Sequence, residues 1–170
     1  MQLNRVKREL NRFAKYVIKQ ARTNLTKKRR NVSKKLYNSL TYKINETPDA
    51  TTLTFFMEEY GYYQDQGVSG KKQKYGTPFS FKSKMPPASA FSQWVIRKGI
   101  KGTRDKKGRF VKRKSLQYLI ARSIFNKGIK PSLFFTAPFE MAYDRLKVDL
   151  PKKLAEDTDN NFKFLFNVEE

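Results

Sequence analysis

Apolar residues recur every three or four positions over the first 25 residues of the chain. They are Leu3, Val6, Leu10, Phe13, Val17, Ala21 and Leu25. This spacing marks one face of an α-helix, which would run for about seven turns at 3.6 residues per turn. Basic side chains fill many of the other positions, and the segment TKKRRN at residues 26–31 is expected to end the helix. The pattern predicts a long amphipathic helix with one buried face.

Apolar and polar residues then alternate in two short segments, LTYKINE at residues 40–46 and TTLTFFME at residues 51–58. A period of two is typical of a β-strand with one buried face. Pro48 and Asp49 lie between the segments and are common turn residues. The two segments therefore predict an antiparallel hairpin, whose second strand runs into the sequence YGYYQDQGVSG at residues 60–70.

The middle of the chain has a weaker pattern. Residues 69–84 are rich in Ser, Gly and Lys with scattered aromatic residues, which indicates a long excursion with room for a short hairpin near residues 79–82. The following Met-Pro-Pro predicts the start of a short helix with Phe91, Trp94 and Val95 on one face and Gly99 just beyond its end. A basic loop or hairpin with a turn at residues 105–108 is expected next.

The last third predicts two helices and a strand. Ser115 is the expected N-cap of one helix and Gly128 its end, and Thr136 is the expected N-cap of the other. Pro151 predicts a kink or break in the last helix, because proline removes a helix hydrogen bond. Residues 157–161 (DTDNN) are expected to turn, and FKFLFNV at residues 162–168 alternates like a strand.

Together these elements predict an α+β fold. A long N-terminal helix and further helices would pack on a small antiparallel β-sheet, with an extended loop excursion and a C-terminal strand. No repeat or linker is visible, so one domain over residues 1–157 and a tail over residues 158–170 are expected. The residues expected to serve the structural core are Pro86, Pro87, Trp94, Gly99, Gly128 and Pro138.

The composition excludes several classes of site. The 170 residues include neither Cys nor His, so disulfides, thiolate metal sites, Ser-His-Asp triads and Cys-His pairs are ruled out. No apolar run approaches the ~20 residues of a membrane span, and the N-terminus lacks the apolar segment of a signal peptide. We expect synthesis in the cytoplasm and no membrane partner.

The formal net charge is +22, and the basic residues are clustered. Residues 1–45 hold fourteen Lys and Arg against Glu9, and residues 97–130 hold thirteen against Asp105. Such a field attracts polyanions such as nucleic acid, although basic runs also occur as solvated faces. The candidate polyanion-binding residues are Lys27, Lys28, Arg29, Arg30, Arg104, Lys106, Lys107, Arg109, Lys112, Arg113 and Lys114.

The tyrosine-rich segment at residues 60–70 allows several interpretations. It could stack nucleic-acid bases, but its nearest charged neighbours are acidic rather than basic. A packed corner fits better, in which Tyr60 and Tyr63 dock on the core and Gly61 and Gly67 permit a tight backbone. Glu58, Glu59 and Asp65 could hold magnesium for phosphodiester hydrolysis. If the strand continues, Glu58 and Glu59 point to opposite faces, which argues against a shared magnesium site. We therefore expect no catalytic, metal or cofactor residues.

The order of these segments resembles the tail-completion, or neck, proteins of tailed bacteriophages. The resemblance spans roughly residues 10–150 and rests on four ordered motifs. A strand ends in a tyrosine-containing turn with Asp65 and Gly67, and a Met-Pro-Pro helix follows with Trp94 and a Lys-Gly-Ile ending. An Ala-Arg-x-Ile helix then runs to Gly128, and Phe-x-x-Pro leads into the last helix.

The resemblance implies a non-enzymatic virion protein, made in the host cytoplasm, that forms a homo-oligomeric ring joining head to tail around the DNA channel. Its partners would be copies of itself, other neck, portal or tail proteins and, non-specifically, DNA. The alternative is a non-specific nucleic-acid-binding protein packaged with the phage genome. The residues expected at the oligomer or partner interface are Tyr60, Tyr62, Tyr63, Gly67, Lys74, Phe79, Phe81, Phe162, Phe164 and Phe166.

Overall fold

A computed structural model describes residues 3–47, 49–100, 102, 104 and 106–166, without the side chains of residues 164–166. The α-helices are α1 (Asn4–Lys27), α2 (Lys35–Ser39), α3 (Tyr60–Gln66), α4 (Ser92–Arg97), α5 (Arg113–Lys127) and α6 (Thr136–Phe166). The strands are β1 (Thr41–Glu46), β2 (Thr51–Phe56), β3 (Val68–Ser69) and β4 (Gly128–Ile129). A 3-10 turn at Ala88–Phe91 leads into α4. The expected α+β class is confirmed.

The chain separates into two compact units. Unit 1 comprises residues 1–27, 37–58 and 134–170, and unit 2 comprises residues 28–36 and 59–133. Neither is a continuous stretch of sequence, which is why no linker marked a boundary between them. The expectation of one domain over residues 1–157 stays a prediction, but residue 158 is no boundary, because α6 continues through it.

Unit 1 is built on the predicted apolar face of α1. Val6, Leu10, Phe13 and Val17 are buried together with Leu146 of α6. Phe13 makes edge-to-face ring contacts with Phe139 at 5.5 Å and Phe55 at 6.1 Å between centroids. One helix face is therefore buried, as the 3.6-residue period predicted, and it packs on both α6 and the hairpin.

The predicted hairpin is confirmed with an in-register antiparallel pairing. Thr41 lies opposite Phe56, and Glu46 lies opposite Thr51. Two hydrogen bonds close the turn, since the Thr47 amide and hydroxyl both donate to the Ala50 carbonyl, at 2.9 and 3.0 Å. Tyr42, Ile44, Leu53 and Phe55 are half-buried, so the alternation correctly identified the inner face.

The predicted C-terminal strand is wrong over the described residues. Helix α6 is continuous through Pro151, through the expected turn at residues 157–161 and on to Phe166. Extending an existing helix adds one hydrogen bond per residue without a new nucleation step, whereas a strand needs an open sheet edge to pair with. Contacts with α1 hold α6 on both sides of Pro151, through Leu146 before it and Asp157 after it.

Unit 2 has a much smaller apolar core than unit 1, although the two are of nearly equal length. Of the fifteen buried Ala, Val, Leu, Ile and Phe side chains in the described residues, only four lie in unit 2: Leu36, Val68, Val95 and Ala121. Backbone pairing contributes instead, through β3 and β4. Gly128 ends α5 with φ +76° and meets the Val68 carbonyl so closely that a Cβ atom there would overlap it.

Several expected core residues are more exposed than predicted. Trp94 is 40% exposed, because only its neighbour Val95 faces inward from the short helix α4. Pro87 is exposed and Pro86 half-buried, whereas Pro138 in the first turn of α6 is buried as expected. Gly99 is exposed, but its φ of +62° and its amide bond to the Ile96 carbonyl confirm that it ends α4.

The basic hairpin is present in a minimal form. Arg104 and Phe110 pair in one antiparallel bridge, and the Arg104 guanidinium lies 4.3 Å from the centre of the Phe110 ring. Gly108 takes φ +77° at the turn. The next helix begins at Arg113 rather than after Ser115, so the predicted cap was placed too late.

Candidate functional site

The tyrosine-rich segment forms a short helix rather than the predicted packed corner. Tyr60, Tyr62 and Tyr63 of α3 are 38%, 52% and 39% exposed, while Gly61 and Asp65 are buried. Asp65 points its backbone inward, where its carbonyl accepts from the amides of Ser132 and Leu133 at 2.9 Å each. Backbone contacts thus fix α3, and its tyrosine rings stay on the surface.

Four of the predicted interface aromatics come together at one open depression of about 560 Å³ on unit 2. We call this depression the tyrosine groove. Tyr63 and Phe79 are in edge-to-face contact with 4.7 Å between ring centroids. Tyr60, Val68, Phe81 and Ile129 also line it. The surface is mainly aromatic and aliphatic, with Lys82 as the charged residue at its edge.

Backbone hydrogen bonds hold the far wall of the tyrosine groove in place. The Ser69 amide donates to the Phe79 carbonyl at 2.8 Å, and the Phe81 amide donates to the Ser69 carbonyl at 2.9 Å. The Thr77 hydroxyl donates to the Gly67 carbonyl at 3.0 Å. The predicted excursion is therefore folded back along β3, and it presents Phe79 and Phe81 on a fixed backbone.

The remaining predicted interface residues do not line this groove. Gly67 is buried with φ +76°, and Lys74 and Tyr62 are exposed on unit 2. Phe162 belongs to unit 1, where it is 56% exposed on α6. Phe164 and Phe166 lie on the same helix, and their side chains fall outside the described residues.

The KKRR run at residues 27–30 is partly structural. The Lys28 ammonium donates to the Ser132 carbonyl. The Arg30 guanidinium donates to the Gln64 side-chain oxygen at 2.8 Å and the Lys130 carbonyl at 3.1 Å. Burial lowers the pKa of Arg30 from its usual value. The carbonyl of Arg29 accepts from the Lys98 ammonium at 3.0 Å.

The second predicted polyanion patch is fully on the surface. All of its residues are exposed: Arg104, Lys106, Lys107, Arg109, Lys112, Arg113 and Lys114. The Arg104 guanidinium also donates to the Gly108 carbonyl at 2.8 Å, which ties it to the turn. That the patch binds a polyanion stays a prediction.

A second groove, which the sequence did not reveal, lies on unit 1. We call it the basic groove; its volume is about 680 Å³. One wall is the face of α1 that carries Lys15, Lys19, Arg22 and Lys27, and the other is formed by residues 37 and 40–42. Apart from Lys27, which was a candidate polyanion-binding residue, these cations appeared in the sequence only as the polar side of an amphipathic helix. The signal available was the spacing of Lys15, Lys19 and Arg22 by four and three residues, which puts them on one face.

The described residues contain no group of three or more Asp or Glu side chains that could hold a metal ion. Glu58 is half-buried, and its backbone amide donates to the Ser39 hydroxyl at 3.0 Å. Among the helices that the structure describes, none is long and apolar enough to cross a membrane.

Comparisons with known proteins identify no relative. No family model matches the chain, and no curated protein or solved structure matches it significantly. The resemblance to phage neck proteins therefore rests on the ordered motifs of the sequence.

Proposed function

We propose that this protein is a structural component of a phage virion that assembles into a ring at the neck, between head and tail. The observation that carries the proposal is the tyrosine groove, where Tyr60, Tyr63, Phe79 and Phe81 meet on one open apolar surface. The sequence motifs supply the neck assignment, and the groove supplies a surface through which copies can associate.

The apolar balance of unit 2 supports an interface there. Its small core leaves large side chains in water, including Trp94, Ile96 and Leu119, each 40–52% exposed. Contiguous exposed apolar surface on a soluble protein commonly marks an interaction site. Tyr and Trp are also enriched at interface hot spots, because they bury a large area with few rotatable bonds.

The occupant of the tyrosine groove is a second copy of this chain, through the exposed face of α6. Met141, Val148, Ala155 and Phe162 recur every seven residues, so they form one line along the helix. All four are exposed, and Met141, Val148 and Phe162 are 66%, 57% and 56% exposed. We call this line the α6 stripe. An apolar helix face laid into an apolar groove is a recurring mode of protein recognition.

Groove and stripe are different surfaces, so their contact would be heterologous. Heterologous contacts generate closed rings when the rotation between neighbours closes, and open filaments when it does not. This is the geometry that a ring around a DNA channel requires, because each copy uses one surface for each neighbour.

The test is the assembly state of purified protein without DNA, measured by light scattering and negative-stain electron microscopy. Wild type should form discrete closed rings. The groove variant Tyr63→Ser/Phe79→Ser and the stripe variant Val148→Ser/Phe162→Ser should each be monomeric. Mixing the two should give a dimer and nothing larger, since one intact groove and one intact stripe remain in the mixture.

Tyr118→Ser is the matched control, because Tyr118 is a 48% exposed aromatic of unit 2 outside the tyrosine groove. It should assemble like wild type. A wild-type protein that stays monomeric at high concentration, or groove and stripe variants that still form rings, would contradict the proposal.

A further inference from the structure

We infer that the basic groove of unit 1 binds the phosphodiester backbone of nucleic acid. This inference is separate from the proposed ring, because the tyrosine groove and the basic groove share no residue. It also differs from the two basic runs that the sequence singled out, of which only Lys27 reaches this groove.

The charge of the basic groove is uncompensated. Its eleven lining residues include three lysines and one arginine, with neither Asp nor Glu among them. Lys15, Lys19 and Lys27 are exposed, and none of them forms an ion pair within the described part of the chain. By contrast, Lys7 on the same helix pairs with Glu46 at 2.9 Å. The groove therefore offers cations that form no ion pair with any carboxylate among the described residues of unit 1.

Arg22 is held in a fixed position at the centre of this row. Its Nε donates to the Tyr37 carbonyl at 3.1 Å and its Nη2 to the Leu40 carbonyl at 3.0 Å. The guanidinium carbon also lies 5.2 Å from the centre of the Tyr37 ring. A guanidinium has five N–H donors, so several stay available after these two bonds. A cation fixed before binding loses little conformational entropy when it contacts a phosphate.

The remaining donors suit phosphate oxygens as well. The hydroxyls of Tyr37 and Thr41 border the groove and make no hydrogen bond in the described structure, whereas Thr23 and Thr26 donate to carbonyls of α1. The ligand would meet ammonium, guanidinium and hydroxyl donors along one trough. Such a surface recognises charge and backbone shape rather than base identity.

The length of the row favours a regular polyanion. Lys15 and Lys27 are separated by about 18 Å along the axis of α1, at 1.5 Å per residue. One strand of B-form DNA carries a phosphate about every 3.4 Å, so this distance covers about five of them. Nucleic acid supplies that charge in any sequence, whereas an acidic protein would need a matching run of carboxylates.

The experiment measures binding of the full chain to a fluorescein-labelled 30-mer, single-stranded or duplex, by anisotropy at several salt concentrations. The basic-groove variant is Lys15→Gln/Lys19→Gln. The control variant is Lys84→Gln/Lys152→Gln, which removes the same charge from two exposed lysines outside the groove. Circular dichroism and light scattering check that fold and assembly state match wild type.

We expect the basic-groove variant to bind DNA at least tenfold more weakly than wild type at about 0.1 M salt. The slope of log K against log salt should fall in magnitude by about 1.4 for single-stranded DNA or about 1.8 for duplex, as two phosphate contacts are lost. The control should keep most of the wild-type slope. The substitutions in the basic groove should weaken binding to one 30-mer, single-stranded or duplex, more than to the other. That 30-mer identifies the form of nucleic acid that the groove binds.

Two results would overturn the inference. Equal losses of DNA affinity in the basic-groove variant and the control variant would show that net charge alone attracts the DNA. Tighter, groove-dependent binding of poly-glutamate than of DNA at equal charge would assign the groove to an acidic protein instead.

Discussion

The carboxylate of Asp157 accepts hydrogen bonds from the backbone amides of Val6 at 3.0 Å and Arg5 at 2.9 Å. The first amides of a helix have no partner within the helix, and an N-cap side chain usually satisfies them from the preceding residue. Here a buried side chain near the end of α6 does so for the first turn of α1. The two helices are thereby joined at one end by hydrogen bonds as well as along their length by packing.

Asp157→Ala should lower the free energy of unfolding by about 1–2 kcal/mol, because two amides lose a charge-assisted partner. Asp157→Asn should cost less, since an amide oxygen remains as acceptor. Asp159→Ala, an exposed position two residues away, should change stability by less than about 0.5 kcal/mol. Urea unfolding followed by circular dichroism measures all three, and equal effects at both positions would disprove the capping role.

Glu156 makes stability depend on acid pH. The hydrogen bond from Lys153, at 2.7 Å, is the largest cause of a lowered pKa at Glu156, and Arg5 contributes from 2.8 Å. The folded pKa lies below the unfolded value of about 4.3, so the stabilisation is present above that pH. It is lost as the pH falls through the folded pKa.

The measurement compares unfolding of wild type and Glu156→Gln between about pH 6 and pH 3. The stability difference should be constant at the upper end and shrink toward the lower end. Because Arg5, Lys153 and Glu156 are only half-buried, the difference should also shrink with added salt. If the stability difference between wild type and Glu156→Gln changes with neither pH nor salt, Glu156 does not act through its charge.

Gly67 and Gly76 provide a matched pair in unit 2. Both have positive φ, +76° and +68°. A Cβ at Gly67 would lie 2.5 Å from the Ile129 carbonyl oxygen and 2.7 Å from the Pro131 ring, whereas one at Gly76 would meet nothing within 4 Å. Gly76→Ala should cost about 1–2 kcal/mol from backbone strain alone. Gly67→Ala should cost more than about 3 kcal/mol.

Amide hydrogen exchange should show where Gly67→Ala destabilises the protein. The reporter is the Ser69 amide, which lies close to Gly67 in sequence and donates to the Phe79 carbonyl. Gly67→Ala should accelerate exchange there and leave α1 amides protected. Similar effects of both substitutions would mean that the contact with Ile129 and Pro131 can relax.

The end of α6 is expected to serve assembly rather than folding. Residues 158–166 continue the helix by about 13 Å past the contact between Asp157 and the first turn of α1. Deleting residues 159–170 keeps Asp157 and should leave a cooperative thermal melt. It removes Phe162 from the α6 stripe, so ring formation should be lost. A truncated chain without a cooperative melt would place this segment in the core of unit 1.

Local sequence patterns identified the elements whose apolar residues recur with the period of a helix or a strand and so lie on one buried face. The stripe from Val6 to Leu25 predicted α1, and the alternation from Tyr42 to Phe55 predicted both hairpin strands in their correct sense. Gly99 and Gly128 marked helix ends because a positive φ is a backbone requirement that glycine meets almost alone. Each of these signals is complete within a few residues.

The errors arose where the outcome depended on distant partners. The alternating phenylalanines of residues 162–166 resembled a strand, but α6 was already nucleated and held to α1 on both sides of Pro151. Tyr60 and Tyr63 were expected to dock on the core, yet the contacts that fix this helix are made by the Asp65 carbonyl with residues 132 and 133. No local pattern contains that information.

The sequence by itself determined the amphipathic helix, the hairpin, the absence of Cys and His chemistry and the strong positive charge. Only the tertiary structure decided that the aromatic side chains at residues 60, 63, 79 and 81 share one groove. It also decided that residues 37 and 40–42 close a trough over the cations of α1. The physical reason is that periodicity reports which side of an element is apolar, whereas a concave site requires elements far apart in sequence to be packed together.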